Sequence, residues 1–424
     1  MIEKAELFEL KERGCCPQQF AGRTAWQCLS QQRKKLCTVM ILFGFLSKKN
    51  TCTMSKKRSR RSFIYNTAVT AAGLSLSSFA NHRNTAQTKK TMNKNKLGVA
   101  LVGLGGYATG QLAPALQQTK HCYLAGIVTG TPAKAAAWKE KYNIPDKNIY
   151  NYQSFDAIKD NPDIDIIYVV LPNHLHTPYT IRGFEVGKHV ICEKPMAITV
   201  EDCNKMIAAA EKAGKFLSIG YRLQYDPYNL EMVRLAKEKI YGDIKSIDAA
   251  FSITPQKGEW RLDKKIAGGG PLMDVGIYCL QAVCYITGLE PVAVTAKTFP
   301  VNDTDKFINI EETIEWQMEM PGGLIARCRS SYSERNGFVK VTAQNGWFEL
   351  NPAYNYGGLK MKTSDGRKFE LPPFSQQAKQ LDGIAQSIKN NQQSKVPGQM
   401  GGRDMKIIAA IYEAMHTGKR VKLQ

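Results

Sequence analysis

Three stretches of this sequence combine residue types able to hold an anion or move a proton. In Gly103-Leu104-Gly105-Gly106-Tyr107-Ala108 the spacing is G-x-G-x-x-A. Such a turn uses its first glycine, Gly103, for a tight bend and its second, Gly105, to let backbone approach a pyrophosphate. The small Ala108 permits close packing of helix on strand. The anion then meets the amides and the positive end of the dipole at a helix N-terminus. The second stretch is Glu193-Lys194-Pro195. The third runs from Gly268-Gly269-Gly270-Pro271 through Asp274 to Tyr278. Its glycines would let backbone approach a ligand, Pro271 starts a helix, and Asp274 and Tyr278, four apart, share one helix face. A Lys, an Asp and a Tyr facing one another form a proton-relay set. An ordinary tyrosine titrates at about 10, and a lysine cation beside it favours the phenolate and lowers that value. Taken singly, Tyr278 reads equally as a core aromatic and Asp274 as a first-turn helix acid; downstream of a dinucleotide turn, together they read as a site.

Two further segments bear on the ligand. A site selective for NAD places Asp or Glu on the ribose diol after the second strand. Here the text is Val128-Thr129-Gly130-Thr131-Pro132-Ala133-Lys134, without an acid. The Thr129 hydroxyl and the Lys134 cation suit a 2′-phosphate, so NADP is the expected cofactor, with NAD as the alternative; an exposed helix lysine is the plain reading of Lys134. Leu171-Pro172-Asn173-His174-Leu175-His176 falls at the carboxyl end of a strand, where such sheets bind ligands. Its H-x-H pair has no Cys, Asp or Glu at ligand-like spacing, so no metal is expected; Leu171, Asn173 and His176 read as helix-start or cofactor-lining residues.

The elements that must position these groups follow from apolar periodicity. Short β-rich runs at 97–102, 123–128, 164–171, 189–192 and 216–220 alternate with helical patterns at 107–118, 132–142 and 199–213. Strands of this kind, too apolar for one wet face, read as a parallel sheet covered on both sides. After about residue 225 the pattern changes. Runs at 243–253, 291–299, 308–320, 324–331, 338–343 and 347–350 read as strands without helices between them, with hairpin turns at Pro321-Gly322-Gly323 and Asn345-Gly346. Helices are expected at 271–287, 374–390 and 404–417. The fold class is therefore α/β: a doubly wound, Rossmann-type parallel sheet over 97–222, then an α+β domain over 223–424 on an open, largely antiparallel sheet.

The net charge of +21 suggests a polyanion partner until it is located. Residues 1–96 hold 19 Lys+Arg against 4 Asp+Glu, and the remaining chain 39 against 33. The basicity sits in this N-terminal stretch, so no nucleic acid partner is expected. No apolar run approaches the ~18 residues of a membrane span; the longest, 39–46, has eight. Residues 1–53, with Cys15, Cys16, Cys28, Cys37 and Cys52, read as a gene-start artefact or leader ahead of Met54. Residues 54–80 carry Arg60-Arg61-x-Phe63-Ile64, a weakly apolar stretch and the ending Ser78-Phe79-Ala80, which describe a twin-arginine-type export signal. Residues 81–96 read as a flexible arm. A periplasmic location is expected, and the six cysteines after residue 96, without CxxC, read as buried thiols.

The three motifs, together with Gly220-Tyr221-Arg222, Trp260-Arg261-Leu262, Ser330-Ser331-Tyr332-Ser333 and Ile411-Tyr412-Glu413-Ala414, resemble the Gfo/Idh/MocA oxidoreductase family over essentially all of 97–424. That resemblance implies an NADP-dependent sugar oxidoreductase, commonly a homo-oligomer. Lys194 would orient substrate and polarise its reacting oxygen, Asp274 would position the sugar, and Tyr278 would be the acid/base. Gly103, Gly105, Tyr107, Ala108, Thr129, Lys134, Leu171, Asn173, His176, Glu193 and Lys194 would hold cofactor. Tyr221, Trp260, Arg261 and Tyr356 would line cofactor or sugar. Gly106 departs from the bulkier residue the resembled enzymes carry, and the positions between Ser252 and Glu259 also differ. Two alternatives stand beside this one: a redox-neutral enzyme that oxidises a sugar carbon transiently to cleave a glycoside, and a non-catalytic sugar- or dinucleotide-sensing protein.

Overall fold

The computed structural model describes residues 95–423. The five cysteines of residues 1–53, the twin-arginine pattern and the arm as far as residue 94 lie outside the described residues. From Leu97 the chain builds a six-stranded sheet of β1 (Leu97–Val102), β2 (Cys122–Val128), β3 (Ile149–Tyr150), β4 (Ile166–Val169), β5 (His189–Cys192) and β6 (Leu217–Ile219). The order is β3-β2-β1-β4-β5-β6 and every pair is parallel. Strand order reverses between β1 and β4, and in such sheets the crevice outside the carboxyl ends at that point takes the ligand. The glycine turn after β1, the Leu171–Asn173 loop after β4 and Lys194 after β5 all leave the sheet on that side.

Helices α1 (Ala113–Leu116), α2 (Pro132–Tyr142), α3 (His176–Glu185) and α4 (Val200–Ala213) cover the sheet. A π-helical turn, Ala108–Leu112, leads into α1, with the Ala113 amide donating back to the Ala108 carbonyl. Pro114 explains it: proline has no N–H to donate, and its ring would strike the carbonyl four residues back, so the turn widens. Thr199 caps α4 by accepting the Asp202 amide, and Gly214 ends it in the left-handed conformation.

The second half contains α5 (Pro227–Lys237), α6 (Lys264–Ala267), α7 (Ile277–Thr287), α8 (Gln376–Lys389) and α9 (Gly398–Thr417). Its sheet holds β7 (Ile244–Ser252), β8 (Ala293–Thr298), β9 (Thr313–Glu319), β10 (Ile325–Ser331), β11 (Asn336–Ala343), β12 (Gly346–Leu350), β13 (Met361–Thr363) and β14 (Val421–Lys422), in the order β13-β12-β11-β7-β10-β9-β8-β14. Only β7 and β10 pair in parallel. α7 lies against this sheet behind a second π-helical turn, Leu272–Gly276.

Helices α3 and α6 are not among the expected elements, and four further details depart from the sequence reading. α5 is unexpected: its buried face is only Asn229, Met232 and Leu235, too short a stripe to stand out, although Asp226 caps it. The short strands β3, β13 and β14 are too brief to register as patterns. The run expected as a strand from 308 pairs only from Thr313; Phe307 and Ile310 instead pack with Val275 and Tyr332 in a small cluster beside the main core. α9 starts at Gly398, six residues before the expected 404, because its glycines serve packing: a Cβ on Gly401 would come within 2.8 Å of the Met196 sulfur, and one on Gly398 within 2.6 Å of Leu217. All six cysteines of the described residues are free and buried, as expected.

Candidate active site

One cleft of roughly 990 Å³ runs from the glycine turn after β1 to the first turns of α7, a volume at the upper end for small-molecule and cofactor sites. Gly103 has φ +94°, which glycine adopts at no steric cost, and a Cβ there would lie 2.5 Å from the Val170 carbonyl oxygen. At Gly105 and Gly106 an added Cβ would meet nothing within 4 Å, so these two faces are open to a ligand. Ala108 is fully buried beneath them. This cradle fits a dinucleotide pyrophosphate. At one end of the cleft lie Thr129, Gly130, Thr131, Lys134 and Tyr152. The Lys134 ammonium donates to the Leu104 carbonyl at 3.3 Å, and the Thr129 hydroxyl accepts the Thr131 amide at 3.2 Å.

The middle of the cleft is braced from inside. His176, at the start of α3, sets its two ring nitrogens 2.8 Å from the carbonyl oxygens of Pro195 and Leu171. Burial pulls this imidazole down to about 4, against carbonyls that favour the charged form. His176 thus ties the loop after β4 to the turn after β5 rather than presenting a nitrogen to ligand. Asn173 donates to the Ala267 carbonyl at 2.8 Å, joining the first sheet's loop to α6. Glu193 accepts from the Tyr168 phenol at 2.6 Å and packs on Gly220, where a Cβ would fall 2.5 Å from its carboxylate; burial raises its pKa.

Lys194, Asp274 and Tyr278 meet at the far end. The Lys194 ammonium donates to the Asp274 backbone carbonyl at 2.8 Å and to Oδ1 at 3.2 Å, and stands 5.0 Å from the centre of the Tyr278 ring. Burial alone would raise the Asp274 carboxyl, but Lys194 and Arg261 outweigh it and hold it below the usual carboxylate range. Burial likewise works against the Lys194 cation, and the neighbouring Tyr278, Asp274 and Glu193 more than restore it. Asp274 Oδ2 also accepts from Arg261 Nε at 3.0 Å and from the Tyr332 phenol at 3.1 Å. Two donors use the two lone-pair directions of Oδ2, leaving Oδ1 with room for one more. The π-helical turn Leu272–Gly276 carries Asp274 and leads into α7, and it brings Asp274 and Tyr278 to one cleft wall.

Leu171, Trp260, Arg261, Tyr107 and Tyr356 also line the cleft. The Tyr107 and Tyr356 rings lie 5.7 Å apart, joining the glycine turn to the second half of the chain.

Tyr221 is a correction: it does not line the cleft, and its ring is buried beside Asp404 of α9. Arg222, its neighbour in the same motif, occupies the cleft instead, with its guanidinium 5.2 Å from the Tyr278 ring centre and 4.6 Å from that of Tyr356. Successive residues at a strand end point opposite ways, and the motif alone does not say which one faces ligand. The second correction concerns Gly269 and Gly270. A Cβ on Gly269 would fall 2.1 Å from the Tyr412 hydroxyl, and one on Gly270 2.5 Å from the Glu311 carbonyl oxygen. These glycines admit the protein's own residues rather than a ligand. The buried Glu311 carboxylate accepts the amides of Gly270 at 3.1 Å and Leu272 at 3.2 Å and the Tyr412 phenol at 2.9 Å, so it anchors the turn that carries Asp274. Sequence reasoning misses Glu311, which no local spacing marks, and gives Tyr332 no role although it lies in the Ser330–Ser333 motif.

Residues 97–221 match the oxidoreductase family Gfo/Idh/MocA, NAD-binding Rossmann fold, and residues 230–349 match the Gfo/Idh/MocA C-terminal domain. These matches cover more than half the sequence, and the chain belongs to the Gfo/Idh/MocA oxidoreductase family. It is 26% identical over 346 residues to D-xylose 1-dehydrogenase [NADP(+)] of Haloarcula marismortui, across 79% of this chain and 95% of that one. A crystal structure of aldose-aldose oxidoreductase from Caulobacter crescentus, complexed with glycerol, is similar with TM-score 0.76 and 42% identity, over 77% of this chain and 100% of the other. A 3-ketoreductase from Actinomadura kijaniata, in complex with TDP-benzene and NADP, shares the fold with TM-score 0.67 at 21% identity, over 76% and 98% of the two chains.

Proposed function

We propose that this protein oxidises a sugar hydroxyl at the expense of NADP, with Tyr278 as acid/base, Lys194 as the cation that polarises the reacting oxygen, and Asp274 as the group that positions the sugar. The observation that carries this reading is the meeting of Lys194, Asp274 and Tyr278 in the same cleft as the glycine cradle. The names of the relatives, a xylose dehydrogenase and an aldose-aldose oxidoreductase, support an aldose as substrate.

The bound nicotinamide would supply the hydride acceptor. The chain's own residues do the rest. Gly103, Gly105 and the first amides of the following helix would hold the pyrophosphate, and Thr129 and Lys134 would hold the 2′-phosphate. Tyr278 takes the sugar hydroxyl proton while Lys194 stabilises the oxygen as charge develops on it. Asp274, kept ionised by its two cations, holds the Lys194 ammonium in place and offers the open lone pair of Oδ1 to a sugar hydroxyl. Reduction of a second sugar by the retained cofactor would close a ping-pong cycle of the glucose–fructose oxidoreductase kind. Twin-arginine export and self-association belong to the same proposal.

Single-turnover reduction of bound NADP by a panel of aldoses tests it. Wild-type protein should reduce its cofactor with at least one aldose. Tyr278→Phe keeps the ring and the packing and should slow that step by about 10²- to 10⁴-fold. A Tyr278→Phe rate within threefold of wild type would refute the assignment. Bound cofactor that no sugar reduces would favour the redox-neutral or sensing alternative.

A further inference from the structure

The sugar end of the cleft presents three cationic side chains, Lys194, Arg222 and Arg261. An anionic sugar would need at least one of them free, because a carboxylate or phosphate leaving water must find a paired cation or bear the full desolvation cost. None is free. Lys194 is held by Asp274 at 3.2 Å. Arg222 is 2% exposed: its terminal nitrogens donate to the Gln376 side chain and the carbonyl oxygens of Tyr354 and Asn355, and its Nε, without a partner, is buried. Arg261 is the most exposed of the three, with 27% of its side chain accessible. Its Nε donates to Asp274 at 3.0 Å and its Nη1 to Glu259 Oε2 at 2.5 Å. Glu259 is itself fixed, since its other oxygen accepts the Gln256 amide at 2.6 Å. Arg261 lines the cleft and Glu259 does not, so the carboxylate acts from behind the guanidinium.

Resting on the sugar-oxidoreductase reading above, we propose that Glu259 sets this site for uncharged sugars: by cancelling Arg261 it withholds from sugar acids and sugar phosphates the most exposed cation at the sugar end. Specificity of this kind is a difference of affinities, achieved by withholding a partner from the wrong ligand. Removing the Glu259 charge while keeping its shape unmasks the guanidinium. A charge-assisted hydrogen bond is worth about 1.5–3 kcal/mol, or about ten- to hundredfold in affinity.

The test is cofactor reduction by the full-length protein with its bound NADP, comparing D-glucose, D-xylose, D-glucuronate and D-glucose 6-phosphate by kcat/KM. Wild-type protein should favour the better neutral sugar over both anions by at least about tenfold. Glu259→Gln should raise the glucuronate-to-glucose ratio by at least about tenfold, and Glu259→Asp should return it toward wild type. Reading a ratio removes any loss of folded protein. Wild-type turnover of glucuronate equal to that of glucose overturns the proposal even if Glu259→Gln fails to fold. So does a Glu259→Gln protein that still turns over glucose with an unchanged ratio. Reduction by none of the four sugars withdraws the parent reading instead, and this one with it.

Discussion

At Gly105 and Gly106 an added methyl group would meet no heavy atom within 4 Å, whereas at Gly269 it would fall 2.1 Å from the Tyr412 hydroxyl and at Gly270 2.5 Å from the Glu311 carbonyl oxygen. Both runs precede a π-helical turn, and both sit beside the same cleft. The first run leaves space outward, for a ligand. The second leaves space inward, so that α9 and the chain before β9 can reach the turn bearing Asp274 and hold it. A glycine run next to a site is therefore compatible with two opposite reasons, and the occupant of the missing Cβ tells them apart.

The contrast is most directly broken by filling both runs. Gly270→Ala should destabilise the protein by about 1–3 kcal/mol or more through overpacking, because the nearest obstacle is backbone. Gly105→Ala should leave stability within about 0.5 kcal/mol while weakening NADP binding at least about tenfold. Denaturant midpoints and cofactor titrations on the two variants measure both effects, and equal destabilisation would erase the distinction.

Lys134 sharpens the outward case. It touches the first run through the Leu104 carbonyl, so it serves either that turn or a phosphate. Lys134→Ala should weaken NADP by about ten- to hundredfold and leave NAD nearly unaffected. Equal losses for the two dinucleotides in parallel titrations would assign Lys134 to the turn.

His176 sharpens the inward case, as a cleft residue whose ring serves the protein. Its folded pKa, about 4, lies below the ordinary histidine value of 6.5. The unfolded chain therefore binds the extra proton first, and the stability His176 confers is present above about pH 6.5 and lost as pH falls toward 4. At pH 5 the loss comes to about 2 kcal/mol, and the less buried His189, also lowered to about 4, adds in the same direction. Unfolding midpoints at pH 7 and pH 5 should converge in His176→Gln relative to wild type; an unchanged pH dependence would remove His176 from this role.

The parallel sheet is legible in the sequence because each of its longer strands is a short run rich in apolar residues with polar or turn-forming residues close behind it, and the glycine turn announces the cofactor half. Lys194, Asp274 and Tyr278 are legible because each sits in a short motif. Glu311 sits in none, and the motifs that hold Tyr332 and Arg222 do not mark them as the residues that act. Glu311, just before β9, holds the turn bearing Asp274, and Tyr332, just after β10, bonds Asp274 itself, both from far along the sequence, while Arg222 differs from Tyr221 only in the direction a single peptide turns. α5 stays hidden because its buried stripe includes Asn229, which hydrogen-bonds to Asp226 instead of packing as an apolar residue.

α9 has a consequence for the order of synthesis. The six strands of the first sheet have all been made by Ile219, yet the open side of β6 is met by Val396, whose carbonyl accepts the Ile219 amide at 2.8 Å. α9 then packs on α4 and α8 on α1, and Tyr412 completes the anchor of Gly270 through Glu311. Domains commonly fold one after another as they leave the ribosome. Here the cofactor half emerges first and lacks its last covering until nearly the final residue is added. The two ends of the described chain thus form one folding unit wrapped around the middle, and an exchange of cofactor halves between relatives has to carry α8 and α9 along with the first sheet.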